Sequence, residues 1–459
     1  MQQYLIPPEI YGETPANLLA LFSHFADQSW AMLLDSAAAE HINSRYDIVV
    51  AEPVATLEAQ AGRCVLTDNT GRHHYAEDPF TVLHGALKRY FPAPANSDLP
   101  FIGGALGYFG YDLGRYIEKL PTQADDDIAL PDLALGFYHW ALILDKQQQQ
   151  LWCVDYHGRA EAMWHKCYAR LQSAMPEPSR FQLTGNWQAN MDKAGYTARF
   201  NQVQQYLLSG DCYQINLTQR FSAPYQGDEW QAYLQLRDKN AAPFSAFIRL
   251  PQGAVLSISP ERFLQLHGGK VQTKPIKGTR PRGICPMTDK LEAHNLLHSA
   301  KDRAENVMIV DLLRNDLGKV CLPGSVEVPA LFAIESFPAV HHLVSTVTGT
   351  LAPNFSACDL LRGAFPGGSI TGAPKVRAME IIEQLEPQRR SVYCGAIGYI
   401  NSGGDMDTNI AIRTLICSEG TIYCQAGGGI VADSDVDSEY QETLDKVNKI
   451  LPVLAAKRE

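Results

Sequence analysis

The 459-residue chain is defined first by what it lacks. No segment approaches about 18 uninterrupted apolar residues, so no membrane-spanning helix is expected. The ten cysteines form no C-x-x-C and none sits at zinc-finger spacing with histidine. They are expected as buried free thiols in a reducing compartment. Basic residues number 39 against 50 acidic ones, a formal net charge of −11, which argues against a general nucleic-acid binder. The opening MQQYLIPPEIYGE has no basic n-region and no apolar h-region, which points to the cytoplasm. There is no internal repeat and no low-complexity tract. Gly104, Gly107 and Gly110 recur every three residues, which does not match G-x-G-x-x-G; a tightly packed strand and turn is expected instead. No nucleophile-elbow G-x-C-x-G is present, so the chain carries no recognisable glutaminase of its own.

What is present suits a soluble globular protein, with 46% hydrophobic and 19% charged residues. The length allows two or three domain-sized units or one large fused fold. Asp47–Ala51 reads as a strand, and Ala141–Leu144 with Leu151–Val154 reads as a hairpin around Lys146–Gln150. Residues 175–190 combine Pro, Gly, Asn and Ser and read as a linker between an N-terminal region, 1–174, and a catalytic region, 191–459. Lys193–Leu208 reads as a helix with Tyr196, Phe200, Val203, Tyr206 and Leu207 on one side. Strands and helices then alternate without a βαβ period, which favours an α+β fold, mixed α/β, built on antiparallel sheets.

Several segments carry chemistry. Pro275-Ile-Lys277-Gly-Thr279 places a lysine before a glycine turn, with Lys274, Arg280 and Arg282 near in sequence. A lysine amine is nucleophilic only when neutral, and neighbouring cations and burial both lower its pKa. Alone, the stretch also reads as a basic surface cluster. Two helical segments each carry an acidic pair at i, i+3: Asp302 with Glu305, and Glu439 with Glu442. Opposed, they could offer carboxylates to Mg²⁺; separately, each reads as an acidic first helical turn. Asp433-Ser-Asp-Val-Asp437 begins like an EF-hand loop but lacks its glycine and its final acid. Phe365–Lys375 is a glycine-rich loop entering a helix without a P-loop ending, suited to a carboxylate or to a simple turn. Gly427-Gly428-Gly429 follows a strand and could let backbone approach a ligand. Arg413 on an alternating strand could grip a carboxylate. Together these residues suit a small polycarboxylate bound with Mg²⁺.

In chain order, PIKGT, DRAEN-x-MIVDLLRND, HHLVS, FPGGSITGAPK, GAIGYI, IAIRT, AGGGIVADS and EYQET-x-DKV resemble the chorismate-utilising enzymes. The resemblance in the catalytic region spans about residues 190–455, and Met32–Ser36 with GGALGYFGYD extends it upstream. It implies two packed antiparallel β-sheets with helices outside. It also implies roles. Glu305 and Glu442 resemble the Mg²⁺-binding glutamates, with Asp302 and Glu439 as their companions acting through waters. Arg413, Tyr399 and Gly427, Gly428 and Gly429 resemble the site for the enolpyruvyl carboxylate of chorismate, with Thr371 and Lys446 lining the same cleft. His342 resembles the histidine near the leaving hydroxyl, and Glu261 the general acid. Lys277 resembles the nucleophile of the branch that forms aminodeoxychorismate, where anthranilate-forming members usually carry a small residue. Gln214 stands where isochorismate-forming members carry a water-activating lysine. The resemblance further implies a glutamine amidotransferase partner, component II, as the ammonia source. Ser36, Arg45 and Tyr46 resemble a pocket for L-tryptophan. The competing readings are an anthranilate-forming enzyme and a non-catalytic regulator that binds chorismate or tryptophan.

Overall fold

The computed structural model describes residues 1–7, 14–37, 43–95, 97–173, 177–336 and 340–455. Alternation along its strands decides the architecture. In Tyr46–Val50, Ile48 and Val50 enter one apolar cluster while Val49 enters another. In Met32–Asp35, Met32 joins the first cluster and Leu33 the second. A strand that is apolar on both faces must be covered on both, so it becomes an inner layer.

Two large antiparallel sheets result, of 13 and 12 strands among the described residues. The first runs from Gln2–Leu5 through Tyr46–Val50, Phe244–Leu250 and Thr421–Ile430 to Gln214–Gln226 and Gln182–Leu183. The second runs from Ile276–Pro281 through Val340–Thr350, Arg262–His267 and Ala396–Asn401 to Gly71–Tyr75. The cluster between them takes Ile48, Val50 and Ile248 from one sheet and Leu106, Tyr108 and Ile397 from the other. Burying each such aliphatic side chain contributes roughly 1.5–3 kcal/mol. Helices cover the outer faces: Thr14–Ser23, Ala160–Leu171 and Glu229–Asn240 on the first sheet, Pro79–Tyr90, Ala300–Gly318 and Ala357–Ala364 on the second.

The Trp140–Asp145 and Gln150–Asp155 hairpin and the Lys193–Leu208 helix form as the sequence predicts, the helix capped by Asp192 accepting from the Gly195 N–H at 2.7 Å. Gly104–Phe109 is a fully buried strand. A Cβ on Gly107 would stand 2.0 Å from the Ala134 carbonyl oxygen, so glycine there lets two strands approach closely. The described part of the stretch 175–190 contains two short strands; residues 175 and 176 lie outside the described residues. Gln182–Leu183 and Gln188–Ala189 both pair with Gln214–Gln226. Strands from either side of that stretch also share both sheets, so the change in composition marks no break between sheets. Hydrogen bonding explains this: a long strand with free edges accepts short partners whatever their side chains.

Nine of the ten cysteines are buried, and Cys285 is exposed, against the expectation for all ten. Cys285 heads the Pro286–His298 helix rather than sitting in an apolar strand. Among the described residues, no helix is long and apolar enough to cross a membrane.

Candidate active site

The cleft lies where one end of each sheet meets two helices. Lys277 comes from the edge strand Ile276–Pro281, part-buried, its Nζ 3.4 Å from the Ser369 carbonyl oxygen. Its pKa is lowered from the usual lysine value by burial, against the opposing pull of Glu305 and Glu261. Lys446 is the cation that adds to the lowering. The basic residues near it in sequence do not contribute as expected. Lys274 pairs with Glu335, Arg280 with Asp302 at 3.1 Å, and Arg282 with Asp289 at 2.7 Å. The strand turns them away and neutralises them, so burial does the work assigned to them by sequence.

Glu261 lies in the same cleft, 8% exposed, with the Ser369 hydroxyl 3.5 Å from its carboxylate. Burial pushes its pKa up to about 7, opposed by Lys277 and by the Ile276 backbone N–H. A carboxyl group poised there can hold a proton at neutral pH and release it. Ser369 escaped the sequence reading although it touches both groups. Its signal was available, as one of two hydroxyls in the Phe365–Lys375 loop.

That loop is held from several sides. Lys375 Nζ reaches the Asp316 carboxylate at 2.6 Å and the Ala364 carbonyl at 2.7 Å. Arg390, 1% exposed, donates to the Ile370 carbonyl at 2.9 Å and the Asn216 carbonyl at 2.6 Å. Arg390 was also missed, because nothing in its sequence context tells a buried brace from a surface arginine. Thr371 is fully buried and its hydroxyl donates to the Gly367 carbonyl at 3.1 Å, so it turns into its own loop.

Across the cleft, Arg413 sits at positive φ, 49°, in the bend just before the strand Thr414–Ser418 rather than on a strand as expected. Its side chain is exposed to the cleft, makes no hydrogen bond or ion pair among the described residues, and has Glu261 as its facing charge. A guanidinium held open in this way is set to take a carboxylate. His342 is 7% exposed, with the Thr279 hydroxyl 2.8 Å from its Nδ1. Thr279 and His342 are cross-strand partners, so the histidine is held to the Lys277 strand.

The acidic residues divide. Ser299 caps the Ala300–Gly318 helix and Asp435 caps Val436–Val447, which fixes where Glu305, Glu439 and Glu442 begin. The Glu439 and Glu442 carboxylates would each stand 3.1 Å from a Cβ on Gly428, so a side chain there would press on both. Burial raises the pKa values of Glu305 and Glu439, and each feels a neighbouring carboxylate that raises it further. Burial also acts to raise Glu442, but Lys446 at 2.7 Å overrides it and the net shift is downward. Lys446 also donates to the Gly427 carbonyl at 2.7 Å. Asp302 is ion-paired with Arg280 at 3.1 Å while still adding negative charge toward Glu305. Converging, mutually repelling carboxylates are the donor set of a hard divalent cation, and the residues present fit one. Among the described residues no three of them close into a finished cage. The Lys301 ammonium instead lies 3.7 Å from Glu439 and 4.0 Å from Glu305.

Tyr399 is not brought to this cleft, which corrects the sequence expectation. It shares a face of Ala396–Asn401 with Ile397, and that face lines a second cavity of about 500 Å³ with Arg45, Tyr46, Arg262 and Asp407. Strand parity is the reason, since alternate residues point to opposite faces. Arg45 and Tyr46 do meet in that cavity, the guanidinium stacked 4.6 Å from the ring centroid. Ser36 lies at the end of the neighbouring strand, its hydroxyl and N–H both bonded to Asp47 at 2.7 Å.

Aminodeoxychorismate synthase component 1 of Klebsiella aerogenes is 56% identical over 94% of this chain and 95% of its own. The crystal structure of anthranilate synthase component I from Streptococcus pneumoniae TIGR4 superposes with a TM-score of 0.79 at 32% identity, covering 90% of this chain and 93% of that one. The menaquinone-specific isochorismate synthase of Escherichia coli, MenF, shares the fold with a TM-score of 0.74 at 16% identity, covering 99% of this chain and 94% of that one. Residues 31–452 match the chorismate binding enzyme profile, and the chain belongs to the chorismate binding enzyme family.

Proposed function

We propose that the chain converts chorismate and ammonia to 4-amino-4-deoxychorismate, the activity named in its 56%-identical relatives. The observation that carries this reading is Lys277, an amine of lowered pKa beside a carboxyl group with a pKa of about 7. The neutral Lys277 amine adds at C2 of the ring. The two ring double bonds shift and the C4 hydroxyl leaves as water, taking its proton from Glu261. Ammonia then adds at C4, the double bonds shift back, and the lysine departs from C2. Each half-step replaces one hard substitution by an easier one.

Arg413 takes the enolpyruvyl carboxylate, beside the backbone of Gly427–Gly429. Lys446 holds that backbone in place through the Gly427 carbonyl. His342 borders the leaving hydroxyl. Glu305, Glu439 and Glu442 would hold Mg²⁺, which when bound supplies positive charge for the ring carboxylate. Gln214 is fully buried against Gly429 and cannot activate water as a lysine could, which supports amination over hydration. The relatives are named component 1, and a glutamine amidotransferase as the second component would supply ammonia. The Arg45 and Tyr46 cavity, about 500 Å³, is of a size to hold L-tryptophan.

The test is incubation of the purified chain with chorismate, Mg²⁺ and an ammonium salt, with products identified by chromatography and mass spectrometry. Aminodeoxychorismate with its pyruvyl group intact is expected. Anthranilate would overturn the assignment of Lys277.

A further inference from the structure

The carboxylate cluster carries its own counter-charges. Glu305, Glu439 and Glu442 converge, and three lysines face them. Lys277 acts on Glu305 and Glu442, Lys446 on Glu439 and Glu442, and Lys301 on all three. Ser434 donates to Glu439 at 2.7 Å, and Asp302 adds negative charge toward Glu305. The three lysines are not held alike. Lys446 is bound at 2.7 Å to both Glu442 and the Gly427 carbonyl. Lys277 is tucked beside Ser369. Lys301 stands at the rim, its side chain 56% exposed, at the longer distances of 3.7 and 4.0 Å, and it bridges the two helices that bring the carboxylates.

We propose that Lys301 is an internal counter-cation that occupies the carboxylate cluster of the metal-free enzyme and is displaced when a divalent cation binds. This rests on the reading of Glu305, Glu439 and Glu442 as cation ligands. A dication entering a cluster already faced by the Lys446 and Lys301 ammoniums meets repulsion unless one leaves. Only the exposed, loosely held Lys301 can swing into solvent without breaking a short contact. The side chain therefore keeps the carboxylates together before metal arrives and weakens the affinity for metal.

The experiment is calorimetric titration of MgCl₂ into the full chain without chorismate, at fixed low salt. It compares the wild type with Lys301→Met, Lys301→Arg and Glu305→Gln, each checked for folding by circular dichroism. Lys301→Met is expected to bind Mg²⁺ about fivefold tighter, and Lys301→Arg, which keeps the charge, to stay within about twofold of the wild type. Equal or weaker binding by Lys301→Met would overturn the proposal. If the wild type gives no binding heat that Glu305→Gln reduces, the cation reading itself falls and takes the proposal with it.

Discussion

Two polar hollows among the described residues, built from residues close in sequence, handle charge in opposite ways. Glu261 enters the Lys277 cleft, while the next residue, Arg262, lines the second cavity. Asp407 and Asn409 line the cavity, while Arg413 opens on the cleft. Most charged groups lining the cavity are already matched: Arg262 is bidentate to Asp407 at 2.9 Å, Arg45 reaches out to Asp145 at 2.8 Å, and Asp35 pairs with Arg237 behind it. In the cleft, the Arg413 side chain makes no hydrogen bond or ion pair among the described residues, Glu261 is pushed up to about 7 and Lys277 is pushed down. A recognition site works best with its polar groups pre-paired and rigid. A reaction site must keep some groups unpaired for a substrate and near the edge of ionisation.

The comparison can be broken first at Lys277. Lys277→Ala is expected to lower amination by at least about 10³-fold while chorismate still binds, since the arginine and carboxylates remain. Single-turnover amination and equilibrium binding together check this; wild-type turnover would remove covalent catalysis from the cleft.

Glu261→Gln is the next largest, with kcat lowered about 10²-fold or more. Its sign with pH is specific. The acid form of Glu261 is present below pH 7 and is lost as pH rises through about 7, so the wild type should lose activity on that limb and the variant should lack the limb. Wild-type stability should fall over the same pH range. A buried carboxyl whose pKa is raised favours the folded state at low pH, and that advantage is lost as pH rises through about 7. At pH 8 the glutamine variant is therefore expected to be more stable, by up to about 3 kcal/mol, in denaturant melts. A less stable variant would show that the cleft does not store this cost.

Arg413→Lys should raise KM for chorismate about tenfold with a smaller change in kcat, because an ammonium cannot reproduce the guanidinium fork. The smallest effect belongs to the other hollow. Arg45→Ala should leave amination within about twofold and abolish any thermal shift produced by L-tryptophan. A large loss of amination would mean that the two hollows are coupled across the shared strands.

Much of this was legible in the sequence because it depends on local rules. The Lys193–Leu208 helix follows from spacing and its Asp192 cap, the hairpin from two apolar runs around a polar turn, and the glycines at 427–429 from the close approach they allow. The EF-hand-like Asp435 is a helix cap. Other features were not legible. Tyr399 looked like part of the substrate site because it sits in GAIGYI, yet one step of strand parity sends it to the other hollow. Ser369 and Arg390 act through contacts with residues far away in sequence.

By itself the sequence determined which chemical groups are available and which elements carry them, since propensity, capping and alternation act over a few residues. It set Lys277 on a strand and Glu305 and Glu442 on helices. Only the tertiary structure decided what those groups become. It turned Lys274, Arg280 and Arg282 away and paired them, and it buried Lys277 and Glu261 together. It also left Arg413 open. The physical reason is that ionisation responds to desolvation and to charges within a few ångströms, and those distances are fixed by how the sheets pack.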